Sequence, residues 1–494
     1  MKVPVSSNEN WNSGAGNGWY EPKSVLELRR SPSPVLDQKA APAGNFDVSD
    51  DPLELADNLL TNFEDWDSFM KELGLQDERK PDNHHNLLFA PSESQTHHHS
   101  ELTHSPEFVP SDFNFSSQFH GNDNISSFDE NWNVGFDYID ELIQLAECFD
   151  SNAVQLAQVI LPQLNQKLSS GAGNPLRRAA FYFKEALQSL LTGSTRSGSS
   201  SFEVIQTIKA YKIFSNISPI PMFSSFTANQ AMLEAVDGAM LVHVIDFDIG
   251  FGSHWASFMK ELADKAELSH TKPPILRVTA LVPEEFAVES RLIRENLAQF
   301  ARELNIGLDV DFVLIRTFEL LSFKAIKFID GEKIVVLLSP AIFRRVGAGQ
   351  FAADLRRVSP HVVVHVDSEG VVGPGPSSFR QTVIEGLEFY SGVLESLEAA
   401  SVAGGGDWVK KIENFVLFPK IVEMVRAAGA GGMTWKEAFV ATGFRPVGLS
   451  QFADFQANFL LGRVQIGGFH VAKRHAEMLL CWHDRALVAT SSWR

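Results

Sequence analysis

Apolar positions along this chain fall into three regimes. In residues 1–132 they are sparse, scattered among Ser, Asn, Asp, Pro and His, with runs such as SPSP (31–34), NHHN (83–86) and THHHS (96–100). A segment of that composition buries too little apolar surface to offset the entropy of ordering it, and residues 1–132 are expected to be disordered. One stretch departs from the rule. In NLLTNFEDWDSFMKELGL (58–75), Leu59, Phe63, Trp66, Met70 and Leu73 recur at steps of three and four, with Glu64, Asp65, Asp67 and Glu72 largely off that stripe. The spacing predicts an amphipathic helix, and Gly74 stands where a helix C-cap belongs. An acidic helix with Phe and Trp suits docking into a partner's groove, as recruitment or activation segments do; docking onto the chain's own body is the other reading.

From about Phe136 to Pro219 the period is helical. In SNAVQLAQVILPQLNQKL, Ala153, Leu156, Ala157, Ile160, Leu164 and Leu168 are expected to share one face, with Pro162 kinking or splitting the helix. NPLRRAAFYFKEALQSLL (174–191) and SFEVIQTIKAYKIF (201–214) follow as further helices.

After Leu241 the pattern changes again. MLVHVIDFDIG (240–250), ILRVTALV (275–282), DVDFVLI (309–315), KIVVLLS (333–339) and HVVVHVD (361–367) are short, near-continuous apolar runs separated by helical pattern. Such alternation predicts a doubly wound, mostly parallel α/β sheet covered on both faces. AEMLLCWH and RALVATSSW near the end of the chain predict a hairpin turning at His483-Asp484, antiparallel on the edge of that sheet.

Charge sharpens this division. Of the 494 residues, 1–150 hold 28 Asp and Glu against 8 Lys and Arg, a net of −20, and the remainder hold 33 against 34, a net of +1. An acidic arm on a neutral body excludes a histone-like or ribosomal protein with a broadly basic surface. Two cysteines, Cys148 and Cys481, exclude a disulfide scaffold and the four-ligand zinc modules. The His run lacks Cys or Asp at ligand spacing, so no metal is expected. MKVPVSSNENWNSG has no apolar h-region and no run of 18 apolar residues occurs, so neither a secretory signal nor a membrane span is expected.

The segment most suggestive of chemistry is the first strand–turn–helix. Asp248-Ile249-Gly250-Phe251-Gly252-Ser253 sits between the first strand and its helix, where glycines let the backbone turn tightly and approach a ligand. Asp248, Gly250 and Gly252, with Glu284 beyond the second strand to meet a ribose hydroxyl, make an S-adenosylmethionine-type cofactor site one reading. The other is that a doubly wound fold needs a tight first turn whatever it binds. Gly250 is expected to lack room for a side chain. No P-loop, serine nucleophile elbow or HExxH motif accompanies the turn. The doublets Arg344-Arg345 and Arg356-Arg357 are read as solvated helix faces.

VHVIDFDIGFGSHWASFMKELA resembles the VHIID block of the plant GRAS (scarecrow-like) family. Four further blocks follow the family's order: leucine-rich helices around NPLRRAAFYFKEAL, a second leucine-rich region at 285–325, a PFYRE-like block from HVVVHVDSEG onward, and a terminal SAW-like block through LVATSSWR. EPKSVLELRRSPSPV and the DFDIGFG wording resemble its HAIRY MERISTEM branch. Two features depart from the pattern: Pro162, and WVKKIENFVLFPKI (408–421) where many members have an Arg/Glu-rich run.

The resemblance implies a GRAS domain over 133–494, with a leucine-rich helical cap at 133–240 and a methyltransferase-like Rossmann core with the SAW block at 241–494. It implies a nuclear transcriptional regulator of plant development and meristem maintenance. Its expected partners are other transcription factors, homeodomain type among them, co-regulators, and a second GRAS chain as homodimer or heterodimer, with DNA reached indirectly. His243 and Asp246 match signature positions and are read as mainly structural. No catalytic residue, metal or cofactor is expected. The two alternatives are a methyltransferase built on Asp248, Gly250, Gly252 and Glu284, and a direct sequence-specific DNA binder. A body near +1 without a basic helix supplies little phosphate neutralisation for the latter.

Overall fold

The computed structural model describes residues 137–193, 200–370, 378–400, 407–429, 432–464 and 466–494. The predicted helix at 58–75 lies outside them.

Five helices come first: α1 (Asp137–Asp150), α2 (Val154–Lys167), α3 (Pro175–Thr192), α4 (Ser201–Ile217) and α5 (Pro219–Ala235). Their ends are written locally. The Asn174 side chain accepts from Arg177 N, Pro175 takes the first helical position, and Gly193 closes α3 in the left-handed conformation. α4 opens on a capping box between Ser200 and Glu203. α2 runs unbroken through Pro162, which is exposed. A proline facing solvent leaves the carbonyl it fails to bond open to water, so the helix survives it. Ala157, Ile160, Leu161, Leu164 and Leu168 are buried, whereas Leu156 is exposed, a correction to the face expected from spacing.

The sheet then builds from β1 (Leu241–Asp246), β2 (Ile275–Val282), β3 (Leu308–Leu314), β4 (Lys333–Leu338) and β5 (Val362–Asp367), all parallel. Between them run α6 (Ser253–Leu268), α7 (Ala287–Glu303), α8 (Ile315–Leu321), α9 (Pro340–Phe343) and α10 (Ala348–Val358). Next come α11 (Phe379–Ala400), α12 (Asp407–Ile412), a π-helical turn (Glu413–Leu417), α13 (Phe418–Ala427) and α14 (Trp435–Ala441). The short β6 (Pro446–Val447), α15 (Gln451–Val464), β7 (Phe469–Arg474), β8 (Glu477–Trp482) and β9 (Arg485–Trp493) end the chain.

Strand order is β3-β2-β1-β4-β5-β9-β8-β7, with β6 paired to β9. The expected hairpin is β8–β9, pairing Trp482 with Arg485. It joins the edge of the parallel strands, where β9 pairs with β5, and FHVAKR adds β7 as the outermost antiparallel strand. Alternate strand residues feed two cores. Val242, Val244, Val335, Leu337, Val362 and Val364 pack with α5, α6 and α7, while Ile245, Val336, Leu338 and Val363 join Phe318, Phe351 and Phe439 on the other face. Both faces are covered, which is why these strands read as continuous apolar runs rather than alternation.

A third core joins the first helices to α11–α13 and to β8 and β9. At its centre Arg178 pairs at 2.8 Å with Glu413, which is 1% exposed and also accepts from the Tyr182 hydroxyl at 2.9 Å. The segment that departs from the family's wording therefore supplies a buried carboxylate to the helical core.

Candidate functional site at the strand ends

Chain reversal occurs between β1 and β4: the chain winds from β1 outward to β3 and returns to the other side of β1. In doubly wound sheets the crevice outside the carboxyl ends of the strands at that switch point is where ligands bind.

β1 and β5 end in the same device. Asp246 Oδ1 accepts from the backbone N–H of Asp248 at 2.9 Å, and Asp367 Oδ1 accepts from the N–H of Glu369 at 2.9 Å. Each strand-terminal aspartate thus folds the chain back and presents a second acid two residues on. Asp246 is fully buried, and its other oxygen takes the Trp255 Nε1–H at 2.9 Å, with His254 Nε2 at 3.5 Å. Its carboxylate is spent on the turn and on the start of α6.

The glycine turn is tight for a different reason than spacing implied. Gly252 has φ +75, and a Cβ there would stand 3.0 Å from Ile293 Cγ2 of α7. Gly250 has φ +53 but open space around it, so its constraint is the left-handed backbone and not lack of room. Between them Phe251 turns toward α4, packing with Val204, Ile208 and Leu292 and meeting the Tyr211 ring at 5.9 Å.

Asp248 is accessible at the crevice mouth but crowded by protein. That crowding is the first cause holding its carboxyl above the usual carboxylate range; Glu369 and Asp246 add to it, against Lys420 and Ser339. Burial, with Asp248 nearby, pushes the Tyr211 phenol up to about 12. Glu284 pairs instead with Arg316 of α8 at 3.6 Å, its side chain 55% exposed.

Four further groups act electrostatically on these acids. Arg344, expected on a solvated face, is 13% exposed and pairs with Glu369, which Lys420 also approaches at 3.7 Å. Those two cations hold the Glu369 carboxyl below its ordinary value although burial opposes them. Ser339 follows β4 directly, and Tyr390 of α11 is fully buried, its phenol held well above the usual value first by burial and then by the charge of Glu369. The repeated Asp-x-acid at two strand ends, DFD and DSE, was the available signal for Glu369; nothing local marks Tyr390 or Lys420.

His243 lies elsewhere, near the amino end of β1. Nδ1 bonds Glu332 at 2.8 Å, Nε2 bonds Thr279 at 2.9 Å, and Arg277 reaches the other Glu332 oxygen at 2.6 Å. Burial pushes the imidazole below its usual pKa, so it serves as a neutral bridge across β1, β2 and the approach to β4. The stripe Leu59, Phe63, Trp66, Met70 and Leu73 lies outside the described residues. Among the described residues no cluster of three or more His, Cys, Asp or Glu is placed to hold a metal, and no helix is long and apolar enough to cross a membrane.

Residues 138–494 match the GRAS domain family. The chain belongs to it. It is 52% identical over 457 residues to Scarecrow-like protein 15 of Arabidopsis thaliana, covering 87% of this chain and 92% of that protein. It is 31% identical to Protein NODULATION SIGNALING PATHWAY 2 of Lotus japonicus, over 69% of this chain and 72% of that one. Its fold matches the crystal structure of SCL7 from Oryza sativa with TM-score 0.57 and 24% identity, covering 72% of this chain and 99% of that one. The GRAS relatives are plant transcriptional regulators rather than enzymes.

Proposed function

We propose that this GRAS protein is a nuclear transcriptional regulator that works by docking other proteins and not by catalysis. The observation that carries this is the division of the chain: an arm of net −20 over residues 1–150 precedes a GRAS body of net charge close to zero. In this reading the arm recruits co-regulators through the stripe Leu59, Phe63, Trp66, Met70 and Leu73. The body docks transcription factors, homeodomain proteins among them, or a second GRAS chain, and these partners supply the DNA contact. The wording of EPKSVLELRRSPSPV and DFDIGFG supports a place in the HAIRY MERISTEM branch and a role in meristem maintenance.

The test fuses residues 1–132 to a heterologous DNA-binding domain upstream of a reporter in plant cells. The fusion should change reporter output, and the double change Phe63→Ala with Trp66→Ala should return it to baseline. Output identical for the two fusions would remove the recruitment helix. A fluorescent fusion of the full chain that stays out of the nucleus would remove the regulatory reading.

A further inference from the structure

Three phenylalanines gather on the outer face of α15. The helix turns its smallest residues inward, Ala453 and Ala457 being buried in the core that joins the first helices to α11–α13. Outward it presents Phe455 and Phe459, 54% and 41% exposed, with Phe452 a turn earlier at 43%. Single exposed apolar residues are ordinary on a protein surface, but three aromatic rings within one helix face mark a docking surface.

Charge selects the occupant. Residues 451–474, α15 through β7, carry Arg463, Lys473 and Arg474 against one acid, Asp454, which Lys473 pairs at 2.9 Å. The stripe Leu59, Phe63, Trp66, Met70 and Leu73 repeats the three-four spacing of Phe452, Phe455 and Phe459. Around it, residues 58–75 hold Glu64, Asp65, Asp67 and Glu72 against Lys71, a net of −3. One chain thus holds two apolar helical stripes in settings of opposite charge. Residues 76–136, which composition predicts to be coil, would span roughly 40–50 Å, enough to bring the stripe to any face of a domain the size of 137–494. Other exposed apolar residues lack this setting. Val154, Leu156 and Val159 lie on α2, whose neighbour α1 carries Asp137, Asp140, Glu141, Glu147 and Asp150 and no Lys or Arg. Leu314, Leu320 and Leu321 lie within 308–330, where Asp309, Asp311, Glu319 and Asp330 outnumber Arg316, Lys324 and Lys327.

We propose that residues 58–75 fold back as a helix onto the phenylalanine face of α15, so that the chain covers its own recruitment stripe until a partner displaces it. This rests on the stripe being a docking helix, as the recruitment function does, and adds where it docks and how it is held in check.

The probe is a synthetic peptide of residues 58–75, titrated calorimetrically into the full chain. In the chain carrying Phe63→Ala with Trp66→Ala the face stands open, and the peptide should bind with a Kd of about 100 μM or tighter. In the wild-type chain the tethered stripe competes at an effective concentration on the order of 1 mM, so the peptide should bind about tenfold more weakly. Adding Phe455→Ser with Phe459→Ser to the open chain should abolish binding without lowering its thermal midpoint, because both rings are exposed. A peptide carrying Asp65→Lys and Asp67→Lys should lose affinity for the unaltered face, a check that does not depend on how a chain variant folds. No binding to the open chain, equal binding to the open and wild-type chains, or binding that survives either change would each overturn the proposal. A sedimenting mass that falls from dimer to monomer in the chain with Phe455→Ser and Phe459→Ser would overturn it by assigning the face to a second copy. The reporter fusion of residues 1–132 lacks α15, so recruitment can fail there while the fold-back contact stands, and the reverse.

Discussion

Trp255 Nε1 donates a 2.9 Å hydrogen bond to Asp246 Oδ2, tying the first turn of α6 to the last residue of β1. Both residues are fully buried. Asp246→Ala leaves an indole N–H without an acceptor and the Asp248 N–H without its turn partner. The expected loss is about 2–4 kcal/mol, read as a lower urea midpoint for the full chain. A midpoint equal to wild type would show that the bond does not hold the turn.

The two glycines of the turn should separate in their effects. Gly250→Ala meets only the left-handed backbone and should cost about 1 kcal/mol. Gly252→Ala adds a Cβ 3.0 Å from Ile293 Cγ2, and the combined cost should reach about 2–3 kcal/mol. Thermal melts of the two variants side by side give the order; the reverse order contradicts the packing.

Gly386 lets α11 lie against α3. A Cβ there would stand 2.2 Å from Phe183 Cζ, and Phe183 is fully buried, so it has nowhere to move. Gly386→Ala should destabilise by about 3 kcal/mol through overpacking. The double variant Gly386→Ala with Phe183→Leu should regain part of that loss, which chemical denaturation would detect.

His365 makes stability depend on pH. Burial first, then Lys436, pushes its imidazole down to about 3, and it stacks on Trp435 at 4.0 Å. In the unfolded chain the same group ionises near 6.5. Below pH 6.5 the unfolded state binds a proton that the folded state refuses, so stability is fully present above that pH and falls as pH falls. The loss between pH 7 and pH 5 should be about 2 kcal/mol, and His365→Gln should flatten that part of the profile. His243, also held neutral by burial, adds a slope of the same sign. Urea midpoints at the two pH values check both.

Secondary structure of the body was legible because each strand is a short apolar run and each helix a three-four stripe. Boundaries followed from local chemistry such as Asn174-Pro175 and the Ser200–Glu203 box. Where the reading failed, a neighbour distant in sequence had decided the matter. Leu156 has the spacing of a buried residue and points outward. Arg344 sits in a doublet that looks solvated and is drawn inward by Glu369, 25 residues on.

Period, composition and charge by themselves determined the acidic arm, the order of elements and the parallel sheet, and the wording of its motif blocks carried the resemblance to a family. These properties are local, or sum along the chain. The crevice was decided by tertiary structure alone. Asp248, Ser339, Glu369, Tyr390 and Lys420 come from five segments and share no spacing. They meet because the chain reverses between β1 and β4 and because α11 packs beside β5's end. The energy of bringing those groups together comes from apolar burial elsewhere in the sheet and helices, so no signal near any one of them announces the others.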